Sequence, residues 1–584
     1  FEMFQDATSF NQPLNNWNVS SVFDMNATFE NAQLFNQDLS DWDVSNVTDM
    51  DSMFRDAFVF NGNITTWNTI SVANMRSMFN DAQLFNQDLS GWDVSNVTDM
   101  GFMFFKAFSF NGNITTWNTS SVTTMESMFQ NNGVFNQNIN SWNVSNVTNM
   151  GEIFEDAASF NQPLNNWDVS NVTDFNRAFD GASNFNGDVT TWNTISATNM
   201  ARMFRDAASF NQNINSWDTT NVTDMAFMFW QATSFDQPLD NWIVSNVTDF
   251  SGMFGTNNGI NMIFNQPLNS WNTSSATDMG TMFQFAVNFN QPLDTWDVSN
   301  VTDMSFMFNG ASSFNGNITT WNTGSVTTMR SMLPNTNFNQ DISGWNVSNV
   351  QNMRFMFGNT PFNQPLNTWT TTSLTNIIGI FEGASNFNQP LDNWNTSNVT
   401  DMSFAFFNAA SFNQNINAWD TTNVTNMQSM FWQATSFDQP LDNWNTSNVT
   451  NFAFMFGTNN GIDMIFNQPL NSWNTLSATT METMFQFAVN FNQPLNSWNV
   501  SNVTNMNFMF NGATSFNQDL SMWCVEQIAS KPNNFDNNTT SWTDPKPNWG
   551  DPCVTPTPTP SVSDSATPTP TPTPSVSDSA TPTP

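Results

Sequence analysis

The residue after each tryptophan of a recurring W-x-[VT] unit is Asn or Asp: Asn18, Asp43, Asn68, Asp93, Asn118, Asn143 and Asp168. Carboxylate and amide oxygens in a row are the donors Ca²⁺ favours, so a cation bridging neighbouring carboxylates is one chemistry open to this column. A solvated amide ladder explains the same pattern without a metal, and no Ca²⁺-loop spacing occurs. Paired carboxylates also serve glycoside hydrolysis, but no Asp or Glu stands apart from its ladder. The chain has no His and no Tyr, which removes the usual general base near neutral pH and the commonest metal ligand. Two Cys in 584 residues cannot build a Cys-rich zinc or iron–sulfur site. The expectation is a non-enzymatic protein with no catalytic residues and no required cofactor, structural Ca²⁺ being the open alternative.

Covalent chemistry is written elsewhere in the chain. Cys524 and Cys553 bracket a segment where the regular pattern breaks, and an isolated pair there reads as a disulfide stapling an end cap, hence an oxidising, extracellular setting. The tail "VTPTPTPSVSDSATPTPTPTPSVSDSATPTP" has the composition of an O-glycosylated, extended stalk. Its candidate acceptors are Thr555, Thr557, Thr559, Thr567, Thr569, Thr571, Thr573, Thr581 and Thr583. About two dozen N-x-[ST] sequons are present, among them Asn46, Asn96, Asn146, Asn171, Asn221, Asn246 and Asn538. Glycans on adjacent units would collide at under ~5 Å separation, so only a minority can be occupied. The Asn or Ser at this position is expected to hydrogen-bond the turn backbone instead.

These residues are positioned by a repeat. "FNQDLSGWDVSNVTDMGFMFFKAFS" (85–109) is followed from Phe110 by "FNGNITTWNTSSVTTMESMFQNNGV", and repeat starts recur from Phe10 to Phe516, nearly all 24 or 25 residues apart. A fixed period in this range signals a solenoid whose units bury their apolar side only against neighbours. In one unit Trp92-x-Val94 alternates as a short strand does, and Met100, Met103, Phe104 and Ala107 recur at helical spacing, with Thr98 or Asp99 available as a cap. Each coil is therefore expected to be strand, turn, short helix, turn. Some twenty-one coils would stack into a curved rod on the order of 100 Å long, at about 4.8 Å per coil. The Trp column from Trp17 to Trp523 and the Met-Phe pairs are expected to be core. The predicted domains are a solenoid over 1–523, a stapled cap over 524–553 and a stalk over 554–584.

The pattern W-x-[VT]-S-x-V-T-x-M-x-x-M-F-x-x-A-x-x-F-N-Q resembles the short repeat of the BspA-like leucine-rich-repeat surface proteins, in the form associated with mycoplasma lipoproteins. The resemblance covers roughly residues 1–523. It implies a leucine-rich-repeat-like solenoid, extracellular placement, and binding or adhesion rather than catalysis.

Charge and irregularities narrow the partners. Ten Lys and Arg against 48 Asp and Glu give a net charge of −38, which disfavours phosphate backbones and anionic membranes. No apolar run is long enough to span a bilayer. The chain begins mid-repeat without Met, as a processed or partial chain would. The insertions "FGTNNGINMIF" (254–264) and "FGTNNGIDMIF" (456–466) lie 202 residues apart in similar surroundings, as duplication of an eight-coil block would leave them. They would project from one side roughly 38 Å apart at the strand spacing, either as a bivalent contact or as an insertion copied passively. Thr69, Thr119 and Thr194 hint at an ice-binding ladder, but Val44, Val94 and Val144 interrupt it. Together these features predict an extracellular structural and adhesive protein of a coat or filament, self-associating and glycan-bearing. The alternative is an adhesin that takes a host protein or glycan on a concave strand face.

Overall fold

A computed structural model describes residues 1–552 as a single stack of repeated coils, a repeat solenoid. Successive coils touch through one isolated parallel bridge each, running Asp24–Asp49–Asn74–Asp99–Thr124 and onward to Thr480–Asn505, with a single step missing between Asn376 and Asp401. The bridge falls at Asp99, and no strand forms at Trp92–Val94, where one was expected.

The expected helix over Met100–Ala107 is absent. Its place is taken by consecutive turns: Met103 N–H donates to Met100 O at 3.3 Å and Ala107 N–H to Phe104 O at 3.1 Å. Phe102 and Lys106 carry φ of 58° and 54°, the positive value that the third residue of a type II turn requires. The alternate amides leave the coil altogether. Met100, Phe102, Phe104 and Lys106 donate to Thr124, Glu126, Met128 and Gln130 of the next coil at 2.8–3.2 Å. A turn repeating every four residues points i, i+3, i+4 and i+7 inward, as a helix would, which is why the apolar spacing misleads. The hydrogen bonds decide between the two, because amides that a helix would satisfy within the coil reach the next coil instead. The second left-handed position is commonly Asp or Asn (Asp6, Asn31, Asp56, Asp81, Asn131, Asp156, Asp206), the residues that tolerate this conformation best after Gly.

The core consists of aromatic columns. Phe104 stacks on Phe110 of its own coil at 3.8 Å and on Phe79 and Phe129 of the flanking coils at 5.6 and 5.7 Å. The tryptophans from Trp42 to Trp523 form the third column, buried and locally stacked, as between Trp67 and Trp92 at 6.0 Å, whereas Trp17, expected in the same core, is 43 % exposed. Each indole N–H of that column donates to a carbonyl of the preceding coil, as Trp92 Nε1 does to Ile64 O at 3.1 Å and Trp217 Nε1 to Val189 O at 3.1 Å. Buried Thr69, Thr119 and Thr194 are fully enclosed, their hydroxyls donating to Asp93, Asn143 and Asp218 O of the next coil at 2.8 Å. They are therefore Val equivalents with a satisfied hydroxyl, enclosed and so unavailable to an outward-facing ladder.

The last coil is covered by residues beyond Trp523. Trp542 meets Phe510 and Phe516 edge-on at 5.4 and 4.8 Å, ending the parallel stack, and Phe508 and Phe510 N–H still donate forward to Asn533 and Phe535 O at 2.9 and 2.8 Å. Asp536, buried, is held by Lys531 and by Lys546 Nζ at 2.6 Å. Burial opposes its ionisation, yet the two ammonium groups keep its carboxyl below the usual range. Cys524 is disulfide-bonded, while Cys553 lies outside the described residues.

Replacing Trp217 by Phe keeps the ring but removes the N–H that satisfies Val189 O. The expected loss is about 1–3 kcal/mol, the cost of a buried unpaired acceptor, read as a lowered urea midpoint in circular dichroism.

Candidate functional site

The surface is built from columns, one residue per coil, so a functional group occurs either in every coil or at an irregularity. The Asn of Phe-Asn-Gln, given no role from the sequence, forms the longest polar ladder. Asn111 Oδ1 accepts from Asn136 N at 3.0 Å and from Gln137 Nε2 at 3.2 Å, and the pattern runs from Asn11 to Asn517. Asp236 and Asp438 substitute in it, accepting from Asn265 N and Asn467 N at 3.0 and 2.9 Å. An acceptor oxygen directly after the buried Phe, repeated coil after coil, is the signal that could have revealed it.

The column after Trp does not reach between coils. Asp43 and Asp93 Oδ1 accept from Ser45 and Ser95 N of their own turn at 3.1 and 2.9 Å, and Asn18, Asn68, Asn118, Asn143 and Asp168 do likewise. Hydrogen bonds from the serine side chain and then its backbone hold the Asp43 and Asp93 carboxyls below the ordinary value. The expected exposed strand-face ladder is therefore a row of independent turn caps. Among the described residues no three carboxylate, Cys or His groups are arranged to hold a metal ion.

The sequon column is exposed and tied to the neighbouring coil. Asn46, Asn96, Asn146, Asn171, Asn221 and Asn246 donate through Nδ2 to Ser20, Ile70, Ser120, Ser145, Ile195 and Thr220 O, each at 2.8 Å. The bond is made to the backbone, as expected, but to that of the preceding coil. Asn538 is exposed in the cap, with φ of 61°. The O-glycosylation candidates from Thr555 to Thr583 lie outside the described residues.

Two irregularities bring unlike residues together. The insertions leave every ladder in register, Phe235 stacking on Phe264 and Phe437 on Phe466 at 6.0 Å, so the extra residues bulge outward. Asn257–Asn261 and Asn459–Asp463 are exposed, and Ile260, Ile263, Ile462 and Ile465 show about 40 % of their surface. Beside the first insertion lies the main charge cluster of the solenoid. Arg177 pairs with Glu155 at 3.4 Å, and Arg205 pairs with Asp206 at 3.0 Å and with buried Asp180 at 3.6 Å. Burial pushes the Asp180 carboxyl up to about 7; Arg205 opposes the shift, and Glu155 and Asp206 add to it.

Two measurements follow from these ladders. Asn111→Asp should leave stability near wild type, since Asp236 and Asp438 already serve this position, whereas Asn111→Ala should cost about 1–2 kcal/mol in chemical unfolding. Asp180 binds its proton more tightly folded than unfolded, so its contribution is present below about pH 4 and is lost as pH rises toward about 7. Replacement by Asn should flatten the thermal midpoint across that window relative to wild type.

Comparison with known proteins follows the repeat. A family described as "Mycoplasma protein of unknown function, DUF285" matches over residues 1–115, 85–184, 162–263, 259–366, 291–389, 356–464 and 461–549. No curated protein matches. Ten chains of solved structures match. One of them, "Crystal structure of TLR13-ssRNA13 complex", is 9 % identical with a TM-score of 0.15, the match covering 82 % of this chain and 60 % of that one. No helix among the described residues is long and apolar enough to cross a membrane. With its pattern recurring across nearly the whole solenoid and cap, the chain belongs to the DUF285 family of Mycoplasma repeat proteins of unknown function.

Proposed function

We propose that this chain is a structural and adhesive repeat protein of an extracellular coat or filament, of the BspA-like leucine-rich-repeat kind and non-enzymatic. Residues 554–584 act as a glycosylated spacer. The observation that carries the reading is the uniformity of the contacts between coils. Ring stack, indole bond, Asn ladder and alternate amides recur along the solenoid, so adding coils adds stiffness and length without a new core. The disulfide at Cys524 supports an oxidising compartment, and the exposed sequon column supports a glycan-bearing surface. Self-association is the role that a long module with a monotonous polar surface suits best.

A second reading, a surface adhesin, is favoured by one observation: two matching loops each present a pair of exposed isoleucines, eight coils apart. Electron microscopy of the native material, with mass spectrometry of glycopeptides from 554–584, separates the two. Regular filaments and sugar-coated Thr-Pro segments are the expected result. Isolated particles with an unmodified tail would remove the filament and leave the adhesin.

A further inference from the structure

The duplicated eight-coil block provides an internal comparison, because the same backbone is dressed differently in its two copies. In the first copy a cavity of about 340 Å³ opens between the turn run and the insertion, lined by Arg202, Arg205, Phe227, Trp230, Gln231 and Asn257. In the second copy the corresponding residues are Phe404, Phe407, Ser429, Trp432, Gln433 and Asn459. Both guanidinium groups are replaced there by rings, and Phe404 packs on Phe407 at 5.8 Å.

Glycine makes room in the first copy for two rings of the preceding coil. A Cβ at Gly252 would lie 2.4 Å from the Phe227 ring and 3.0 Å from Trp230, and one at Gly255 would lie 2.6 Å from Trp230. The Trp230 indole meets the Phe227 ring edge-on at 5.4 Å and remains half-buried. The second copy carries Phe454 where the first has Gly252, and Phe454 meets Trp432 edge-on at 5.2 Å. Trp432 is buried. The two copies thus differ in which residue supplies the ring beside the indole, and in whether arginines or phenylalanines flank it.

The charges in the cleft are unequal. Arg205 is compensated by Asp206 and Asp180. Arg202 has no carboxylate within ion-pair distance among the described residues, although it acts on the nearby Asp224. Its guanidinium lies 5.6 Å from the centre of the Phe227 ring. One guanidinium fork outside any direct ion pair, a half-buried indole and two amide side chains converge on one opening. A guanidinium fork matches a carboxylate with two parallel hydrogen bonds. An indole face accepts an apolar, C–H-bearing face, and Gln and Asn both donate to and accept from hydroxyls. A chain of net charge −38 repels polyanions at long range, so the cleft suits a ligand with a single negative charge.

We propose that the Arg202–Trp230 cleft binds a carboxylate-bearing sugar residue of an otherwise neutral glycan. The carboxylate sits on Arg202, the ring face lies on Trp230, and the hydroxyls meet Gln231 and Asn257. The second copy has lost this capacity, so the chain carries one such site rather than two. The site is independent of the structural reading, since filament formation and sugar binding are measured separately and either can fail alone.

The test is titration calorimetry on the full chain with a glucuronate-terminated disaccharide and its neutral glucose-terminated counterpart. The acidic sugar is expected to bind at least about tenfold more tightly. Arg202→Phe should abolish that preference, as should the paired change Phe227→Ser with Gly252→Phe. Each copies residues that the second block already accommodates, Phe404 and Phe454 having φ of 59° and 63°, so folding is protected, and a matching circular dichroism melt confirms it. Equal affinity for the two sugars, no binding of either, or acidic-sugar binding that survives both variants would each overturn the proposal. Tighter binding of a highly sulfated polymer, or of a peptide through its terminal carboxylate, would overturn the ligand class.

Discussion

The structure depends on what the alternate amides of the turn run do. A 25-residue coil has no helix and almost no strand in which to satisfy its own backbone, and unpaired buried N–H groups are costly. Met100, Phe102, Phe104 and Lys106 donate to the coil that follows, while Met103, Phe105 and Ala107 donate within their own. Half of the run's bonding is thus intermolecular in character although it lies within one chain. No coil is complete alone, and repetition follows from that incompleteness.

The side chains obey the same rule. The Trp indole finds its acceptor one coil back, the buried Thr hydroxyl one coil forward, and the Asn after each Phe serves the next coil's amide. Aromatic rings in register stack with their neighbours at 5.3–6.3 Å along the Phe columns. The arrangement tolerates four extra residues at each insertion because the ladders constrain only the column residues and leave the connecting loop free to bulge. Beside Asn257, where the coil is interrupted, the surface gathers side chains that depart from the regular columns.

Much of this was legible in the chain itself. The period, the Trp and Phe core columns, the duplicated insertions and the break at the cap all follow from spacing and composition. The helix did not survive, because Met100, Met103, Phe104 and Ala107 present the same inward face in a run of turns as in a helix. Apolar spacing reports which residues face the core and says nothing about where the amides bond. The Asp or Asn at the second left-handed position was the available clue. The column after Trp was expected to form a ladder between coils but bonds within its own turn, while the sequon column bonds turn backbone as expected, that of the preceding coil.

The amino-acid sequence alone determined that the protein is a repeat solenoid without His or Tyr, and which positions of each unit are apolar. Those properties are set by periodicity and residue type, which survive any detail of backbone path. The tertiary structure decided what type and spacing cannot encode. It turned an apparent helix into stacked turns, since amides that a helix would satisfy within the coil reach the next coil instead. It also brought Arg202, Trp230 and Asn257, from three different coils, around one opening. That convergence depends on the stacking register and on two glycines, Gly252 and Gly255, whose missing side chains matter only once the next coil lies against them.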